Sequence, residues 1–174
     1  MNCLDGYLGE SVLEIGVGSG ILLKELSKRF STVVGTDIDI ESLLICRQTV
    51  SNTVDLICCD AAKALSQTSK YDLIISNPPY LPSDKTDTHD RTIYGGKIGS
   101  DAAIAFVKSA LNLLKESGAF LIVLSTVSNI SHFHTEIASL GLLKRTISKK
   151  ELFFESLSVD ELRLNPKPGT VSRV

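Results

Sequence analysis

The chain has 174 residues, of which 43% are hydrophobic and 22% are charged, and its net charge at pH 7 is −2. This length and composition are typical of one globular domain with a full core, and the charge argues against binding nucleic acid by phosphate neutralisation alone. No apolar run approaches the length of a membrane span, and the N-terminus lacks the pattern of a signal peptide. We therefore expect a cytoplasmic protein.

Short apolar runs alternate along the chain with segments of helical periodicity. Strands are predicted at 11–16, 32–37, 54–60, 71–76 and 119–125, and helices at 21–30, 40–50, 101–118 and 129–141. Gly118 is expected to cap the longest helix. This alternation predicts an α/β fold with a doubly wound, mostly parallel sheet, to which 142–164 adds two antiparallel edge strands for a total of seven.

One domain, 1–174, accounts for the whole chain, with a core at about 11–164 and a flexible tail at 165–174 that contains two prolines and a glycine. The segment 81–100 has no periodicity. Loops of this length in compact domains are usually functional or disordered. Because this one follows Tyr80 and carries charges and glycines, we predict a mobile lid over the substrate.

The cysteines and histidines do not form a metal-binding pattern. No C-x-x-C pair occurs, and the two histidines of one predicted helix, at 132 and 134, would face different sides. The scattered spacing favours reduced thiols that pack as small hydrophobic residues, so we expect no metal at Cys3, Cys46, Cys58 and Cys59.

A glycine-rich turn follows the first predicted strand, with Gly16, Gly18 and Gly20 in the stretch LEIGVGSG. In doubly wound sheets, ligands bind at the carboxyl ends of the strands, where glycines let the backbone approach them closely. The dinucleotide fingerprint G-x-G-x-x-G would need its third glycine at Ile21. The spacing therefore favours a nucleoside over a nicotinamide dinucleotide.

Two aspartates extend this predicted site. Asp37 ends the second strand, where it could accept hydrogen bonds from ribose hydroxyls, and Asp60 ends the third strand, where it could accept one from an adenine amino group. Asp39 lies past the strand end and is expected to begin the next helix. A role as a helix cap remains the alternative for each of these aspartates.

The fourth predicted strand ends in Asn77, Pro78, Pro79 and Tyr80. Prolines cannot donate to a sheet ladder, so the strand stops there on a stiff backbone. The side-chain oxygen of Asn77 and the carbonyl of Pro78 could accept the two N–H groups of a planar nitrogen, while Tyr80 offers a flat face. An ordinary turn would explain the prolines but not the whole quartet beside a nucleoside site.

The sequence E-x-G-x-G-x-G, the acids after the second and third strands, and N-P-P-Y after the fourth together resemble class I S-adenosylmethionine-dependent methyltransferases. The resemblance implies a Rossmann-like fold and S-adenosylmethionine as the cofactor. It implies catalytic roles for Asn77, Pro78, Pro79 and Tyr80. It places Glu14 and Gly16 at the amino-acid end of the cofactor, Asp37 at the ribose and Asp60 near the adenine; the full set of expected cofactor-binding residues is Glu14, Gly16, Gly18, Gly20, Asp37, Ile38, Asp60, Ala61 and Asn77.

Within that superfamily, N-P-P-Y marks enzymes that methylate planar nitrogens. The stretches YGGKIGSDAAIAF and FFESLSV resemble the HemK-type enzymes of the archaeal and eukaryotic branch. The implied function is methylation of a glutamine side-chain amide in a translation release factor. Adenine-N6 or guanine-N2 methylation of RNA or DNA is the alternative, and a cofactor-binding subunit without turnover is a third hypothesis.

The relatives in this branch work with a small zinc-binding activator protein that extends the sheet and covers apolar surface. They also carry a helical segment before the first strand, whereas about ten residues precede Ser11 here. Together with the apolar stretches FLIVLS and LICCD, this predicts that the chain does not act alone.

Overall fold

The structure is a computed structural model that describes residues 4–83 and 93–166. Its centre is a seven-stranded sheet in the order β3-β2-β1-β4-β5-β7-β6. The strands are β1 (Ser11–Ile15), β2 (Thr32–Asp37), β3 (Asp55–Cys58), β4 (Tyr71–Ser76), β5 (Leu114–Ser125), β6 (Leu142–Glu151) and β7 (Ser156–Leu164). The helices are α1 (Ile21–Leu26), α2 (Ile40–Thr49), α3 (Asp101–Ala110) and α4 (Ile130–Ser139).

The predicted fold class is confirmed. Strands β1 to β5 pair in parallel, and the chain reverses its direction of travel across the sheet between β1 and β4. At such a switch point the loops after the two strands diverge to opposite faces and leave a crevice between them. The glycine turn follows β1 and the N-P-P-Y segment follows β4, so the fold brings the two motifs to the same crevice.

The core consists of two apolar layers, one on each face of the sheet, because side chains alternate along each strand. On β1, Leu13 contributes to the layer under α3 and α4, whereas Val12 contributes to the layer under α1 and α2. Leu4 is buried in the second layer, so the core begins before residue 11. The predicted tail lies outside the described residues from position 167 onward.

The helix predicted at 101–118 is wrong in its second half. α3 ends at Ala110, a single 3-10 turn covers Leu111–Leu113, and β5 begins at Leu114. Leu114 pairs with Tyr71 of β4, and Gly118 lies inside the strand rather than at a helix end. Strand pairing with the buried β4 therefore overrides the helical pattern of this segment.

The two C-terminal strands form the predicted antiparallel hairpin, but only β6 is an edge strand. β7 lies between β5 and β6 and is antiparallel to both. β6 is exposed along most of its length and carries Lys144, Arg145, Lys149 and Lys150. Lysines on an exposed edge oppose pairing with another chain.

None of the helices in the described part of the chain is long and apolar enough to cross a membrane. Across residues 4–83 and 93–166, no group of three or more histidine, cysteine, aspartate or glutamate side chains is arranged to hold a metal ion.

Candidate active site

A cavity of about 770 Å³ opens at the carboxyl ends of β1, β2 and β4. This volume lies within the range of pockets that hold small ligands and cofactors. Its walls include nine of the residues predicted from the sequence: Glu14, Gly16, Gly18, Asp37, Ile38, Asp60, Ala61, Asn77 and Pro79. The crevice at the switch point is therefore a real cavity in which the two motifs meet.

The glycine turn wraps tightly around the end of β2. The backbone N–H groups of Gly16 and Val17 both donate to the carbonyl of Thr36, at 2.8 and 3.1 Å. Gly16 and Gly18 have positive φ angles of 77° and 48°, which a side chain would strain. Apart from Gly18 itself and its two chain neighbours, no atom of the described residues lies within 4 Å of the position that a Cβ of Gly18 would take, so the space beside it is open.

Gly20 also has a positive φ, but it does not line the cavity. It begins α1 and packs on α2, where an added Cβ would lie 2.5 Å from the Sγ atom of Cys46. The structure thus gives Gly20 a packing contact with α2, and its cofactor contact stays a prediction.

Glu14 is the most unusual polar residue of the cavity wall. It lies next to the last residue of β1 with 4% of its surface exposed, and its Oε2 atom has no hydrogen-bond partner in the described part of the chain. Burial and, after it, the charge of Asp37 raise the pKa of Glu14 to about 8. A buried carboxyl without a partner is costly unless a ligand supplies one, and a cationic group would suit it best.

Asp37 ends β2 at the same wall. Its two carboxylate oxygens accept hydrogen bonds from the backbone N–H groups of Gly18 and Asp39, each at 3.0 Å. Asp39 itself accepts from the N–H groups of Glu41 and Ser42, so it caps α2 as expected. Asp37 therefore ties the glycine turn to the start of α2 while its carboxylate lines the cavity.

The wall continues at the end of β3. Ala61 has a φ of 53°, and among the described residues it is the only one other than glycine with a positive φ. Such strain in a non-glycine residue is often kept at functional sites. Asp60 precedes it and forms a surface ion pair with Lys63 at 2.7 Å.

The N-P-P-Y segment leaves β4 beside the end of β1, where the Ser76 hydroxyl donates to the Ile15 carbonyl at 2.8 Å. Asn77 is exposed and lines the cavity, and no residue in the described part of the chain hydrogen-bonds its side chain. Pro79 also lines the cavity, whereas Pro78 is buried and Tyr80 lies outside the wall. Asn77 therefore presents an uncommitted amide at the cavity mouth.

A family comparison decides what kind of protein this is. The family model described as the methyltransferase small domain matches residues 1–152. The chain belongs to this family. It is an S-adenosylmethionine-dependent methyltransferase, and solved structures that are similar in fold contain this cofactor or its demethylated product.

Two curated proteins and one solved structure show what this chain is similar to. "Putative protein N5-glutamine methyltransferase MJ0928" of Methanocaldococcus jannaschii is 28% identical, over 86% of this chain and 79% of its own. The tRNA1(Val) (adenine(37)-N6)-methyltransferase of Enterobacter sp. is 33% identical over 65% of this chain, which spans only 50% of that relative. The E. cuniculi Mtq2–Trm112 complex, which methylates the termination factor eRF1, contains a similar fold with a TM-score of 0.77 and 24% identity, covering 94% of this chain and 92% of the neighbour.

The cavity of this methyltransferase fits its cofactor. The unpartnered Glu14 carboxyl suits the ammonium group at the amino-acid end, and the open space beside Gly18 lets the ligand approach the backbone. Thr36 also lines the cavity with an unpartnered hydroxyl oxygen. The cavity wall therefore combines polar atoms that lack a partner in the described part of the chain with apolar surface, as expected for a site that binds and orients a small ligand.

One wall of the cavity was not predicted from the sequence. Residues 93–99, which belong to the predicted lid, contact the N-P-P-Y segment and line the cavity, and the mobility of the lid stays a prediction. Gly95 donates to the Leu81 carbonyl at 2.9 Å, and its added Cβ would lie 2.3 Å from the Gly99 carbonyl oxygen and 2.4 Å from that of Pro79. The repeated glycines of YGGKIGS were the available signal, since close backbone contact requires them. Residues 84–92 of the predicted lid lie outside the described residues.

Proposed function

We propose that this enzyme transfers the methyl group of S-adenosylmethionine to the side-chain amide nitrogen of a glutamine in a translation release factor. The observation that carries the proposal is the uncommitted Asn77 amide on a proline-stiffened turn at the mouth of the cofactor cavity. Two relatives support the substrate: the archaeal protein named for N5-glutamine methylation, and the Mtq2–Trm112 complex that acts on eRF1. Such a substrate implies that the enzyme acts in the cytoplasm.

Asn77 and Pro78 would act on the acceptor nitrogen by positioning it. An amide nitrogen is a weak nucleophile, and the cofactor supplies a methyl group already activated on a sulfonium. The Asn77 side-chain oxygen and the Pro78 carbonyl would each accept one N–H of the acceptor and favour the positive charge that the nitrogen gains. Transfer breaks the sulfur–methyl bond, forms a nitrogen–methyl bond and releases one proton from the acceptor to solvent.

The cofactor would lie along the β1–β3 side of the cavity. We assign its amino-acid end to Glu14 and Gly16, its ribose to Asp37 and its adenine to the neighbourhood of Ile38, Asp60 and Ala61. This orientation is supported by the unpartnered Glu14 carboxyl near the base of the crevice, and by the position of Asp37 at the end of β2.

Methylation of adenine or guanine in nucleic acid is the second candidate, because a tRNA adenine-N6 methyltransferase is among the relatives. The net charge of −2 disfavours it, since phosphate backbones require an excess of positive charge. To distinguish the two, the protein is incubated with labelled methyl donor and cell extract, and separate portions are digested with protease or nuclease. Label released by protease and mapped to a release-factor glutamine supports the proposal, whereas label released by nuclease establishes the alternative.

We further propose that a small activator protein docks on the β3 edge of the sheet. In the described part of the chain, β3 pairs only with β2, so one side of its ladder is open. The adjacent helix α2 exposes Ile40, Leu44 and Ile45, each to more than half of its surface. An open strand next to an apolar helix face favours a partner that extends the sheet. The apolar stretch FLIVLS does not contribute, because β5 is internal.

Co-purification tests this docking surface. The chain is co-expressed with the small zinc-binding activator of the same organism, and Leu44→Ser with Ile45→Ser should greatly reduce the amount that co-purifies. Leu143→Ser, a 52% exposed leucine on β6, is the matched control and should not change it. A parent chain that sediments as a stable monomer with full turnover, unaltered by the activator, would refute the docking proposal and leave the catalytic one intact.

A further inference from the structure

The turn between β6 and β7 exposes two adjacent aromatic side chains. Phe153 is 92% exposed and Phe154 is 90% exposed, more than any other large hydrophobic side chain in the described residues. Their rings touch edge to face, with centroids 4.6 Å apart and planes at 87°. Single exposed apolar side chains are ordinary, but an exposed aromatic pair marks a contact surface. We call residues 152–155 the hairpin tip.

The hairpin tip is held firmly to the end of β5. Leu152 donates its N–H to the Glu155 carbonyl at 2.8 Å, which closes the turn. Ser156 and Thr126 exchange two hydrogen bonds, at 2.9 and 3.0 Å, and the Ser125 hydroxyl donates to the Glu155 carboxylate. The rings therefore stand on a fixed base, which lowers the entropy lost when a partner binds.

The hairpin tip is contiguous with the acceptor side of the active site. Burial and, after it, the Glu155 carboxylate raise the pKa of Tyr80, which places that carboxylate within electrostatic reach of the N-P-P-Y segment. Between them lies Ser128, whose hydroxyl donates to the Ser125 carbonyl at 2.8 Å. Gly99 packs against both Tyr80 and Ser128. A Cβ built on Gly99 would lie 2.4 Å from the Tyr80 carbonyl oxygen and 3.0 Å from the Cβ of Ser128.

We infer that the hairpin tip binds the polypeptide segment of the methyl-acceptor protein next to the methylated side chain, an inference that rests on the proposed function. The contact between Asn77 and a single side-chain amide of the substrate cannot give a protein substrate high affinity or a defined orientation. A rigid aromatic pair beside the site can, because aromatic anchors supply a large share of interface energy. The pair lies at the β6–β7 side of the sheet, opposite the β3 edge proposed for the activator.

Charge favours a polypeptide over a nucleic acid here. Exposed rings can also stack on nucleic-acid bases. Proteins that bind nucleic acid in this way also carry an excess of positive charge, which contacts the phosphate backbone. Residues 149–155 carry two lysines and two glutamates, so the hairpin tip has no excess positive charge. Lys149 is moreover paired with Glu151 at 2.7 Å.

The test is a kinetic comparison on the full chain, with its activator if one is needed. Phe153→Ser with Phe154→Ser should raise the KM for the release factor by about tenfold or more and change kcat little. S-adenosylhomocysteine affinity and melting temperature should stay at the parent values, because both rings are outside the cofactor cavity and the core. Phe153→Tyr with Phe154→Tyr keeps the rings and should stay close to the parent.

Leu8→Ser with Leu143→Ser is the matched control. Leu8 is 83% exposed and precedes β1, and Leu143 is 52% exposed and is the second residue of β6. Both lie at the amino-terminal end of the sheet, so this variant should leave the KM for the release factor unchanged. An unchanged KM in the double serine variant at 153 and 154 would overturn the inference. So would a change confined to self-association, activator binding or nucleic-acid binding. If the parent does not methylate the release factor at all, the proposed function fails, and the inference with it.

Discussion

The two sides of the active site are built differently. The donor side, at the ends of β1, β2 and β3, is a set of backbone turns fixed by short hydrogen bonds, and the polar atoms it leaves unpartnered, on Glu14 and Thr36, face the cavity. The acceptor side, at the ends of β4 and β5, holds an exposed Asn77 and the exposed rings of the hairpin tip. A small, invariant cofactor favours a rigid, largely enclosed site. A macromolecular acceptor instead contacts the enzyme through a larger exposed surface. Substitutions on the two sides should therefore affect different steps.

The largest effect is expected on the acceptor side, at Asn77. Asn77→Ala should lower kcat by about 10²–10³-fold, in the range seen when one preorganised polar contact to a reacting group is removed. S-adenosylhomocysteine affinity should stay close to that of the parent, because the contact forms only with the acceptor nitrogen. Asn112→Ala, an exposed asparagine in the 3-10 turn after α3, is the control. Retention of the parent rate by Asn77→Ala would remove Asn77 from the mechanism.

Gly95→Ala should disturb the acceptor side indirectly. The new Cβ would lie within 2.4 Å of the Pro79 carbonyl oxygen, so the N-P-P-Y turn must shift. A displacement of this kind can cost about 100-fold in rate, and overpacking costs about 1–3 kcal/mol of stability. Gly141→Ala has a positive φ but no neighbour within 4 Å, so it should lose stability while keeping turnover. Single-turnover kinetics and thermal melts of both variants check this, and equal kcat values would refute it.

A smaller effect is expected on the donor side, at Asp37. Asp37→Ala should weaken S-adenosylhomocysteine binding by about 1.5–3 kcal/mol, the range for hydrogen bonds to a charged group. Asp39→Ala is the matched control: it removes the cap of α2, at a cost of about 1 kcal/mol in stability, and keeps the backbone N–H that donates to Asp37, while Asp39 itself does not line the cavity. Calorimetry on both variants measures the difference. If the two bind the ligand equally well, Asp37 does not hold the ribose.

The smallest effect is a pH dependence from Glu14. Its pKa of about 8 reflects burial first and the charge of Asp37 second, and Cys46 of α2 is the other titratable group beside it. Only the ionised carboxylate pairs with an ammonium group, so S-adenosylhomocysteine affinity should rise about fivefold between pH 7 and pH 8 and then level off. Calorimetry in buffers of different ionisation enthalpy should show proton release on binding. Glu14→Gln should abolish this release, and its persistence in that variant would assign it to another group.

The same shift has a consequence for the chain without cofactor. The folded state keeps the Glu14 proton up to about pH 8, whereas the unfolded chain loses it near the ordinary glutamate value of 4.5. Because the unfolded state binds fewer protons between these values, the stability contributed by the neutral group is lost as pH rises from 4.5 towards 8. Denaturant titrations of the parent and of Glu14→Gln at pH 5 and pH 8 measure this loss.

The sequence alone determined the order of the elements and the donor side of the site. Alternating apolar runs and helical segments specify a parallel sheet, and the residues after β1, β2 and β4 must meet at its carboxyl edge. Gly16, Gly18, Asp37 and Asn77 were therefore placed at one crevice from spacing and residue type, and Glu14 was added by the resemblance to class I methyltransferases. The hydrogen bond from the Gly18 N–H to the Asp37 carboxylate joins the turns that follow two neighbouring parallel strands, whose adjacency the alternating pattern already favours.

Only the tertiary structure decided the rest of the site, because it depends on contacts between distant segments. The pairing of Tyr71 with Leu114 converts the end of a predicted helix into β5. Close backbone contact of Gly95 with Pro79 places part of the predicted lid segment in the cavity wall, and Gly20 packs against Cys46 of α2. Periodicity indicates which local structure a segment favours. Contacts with distant segments form only when the sheet assembles, and these contacts can override the local preference or complete the cavity wall.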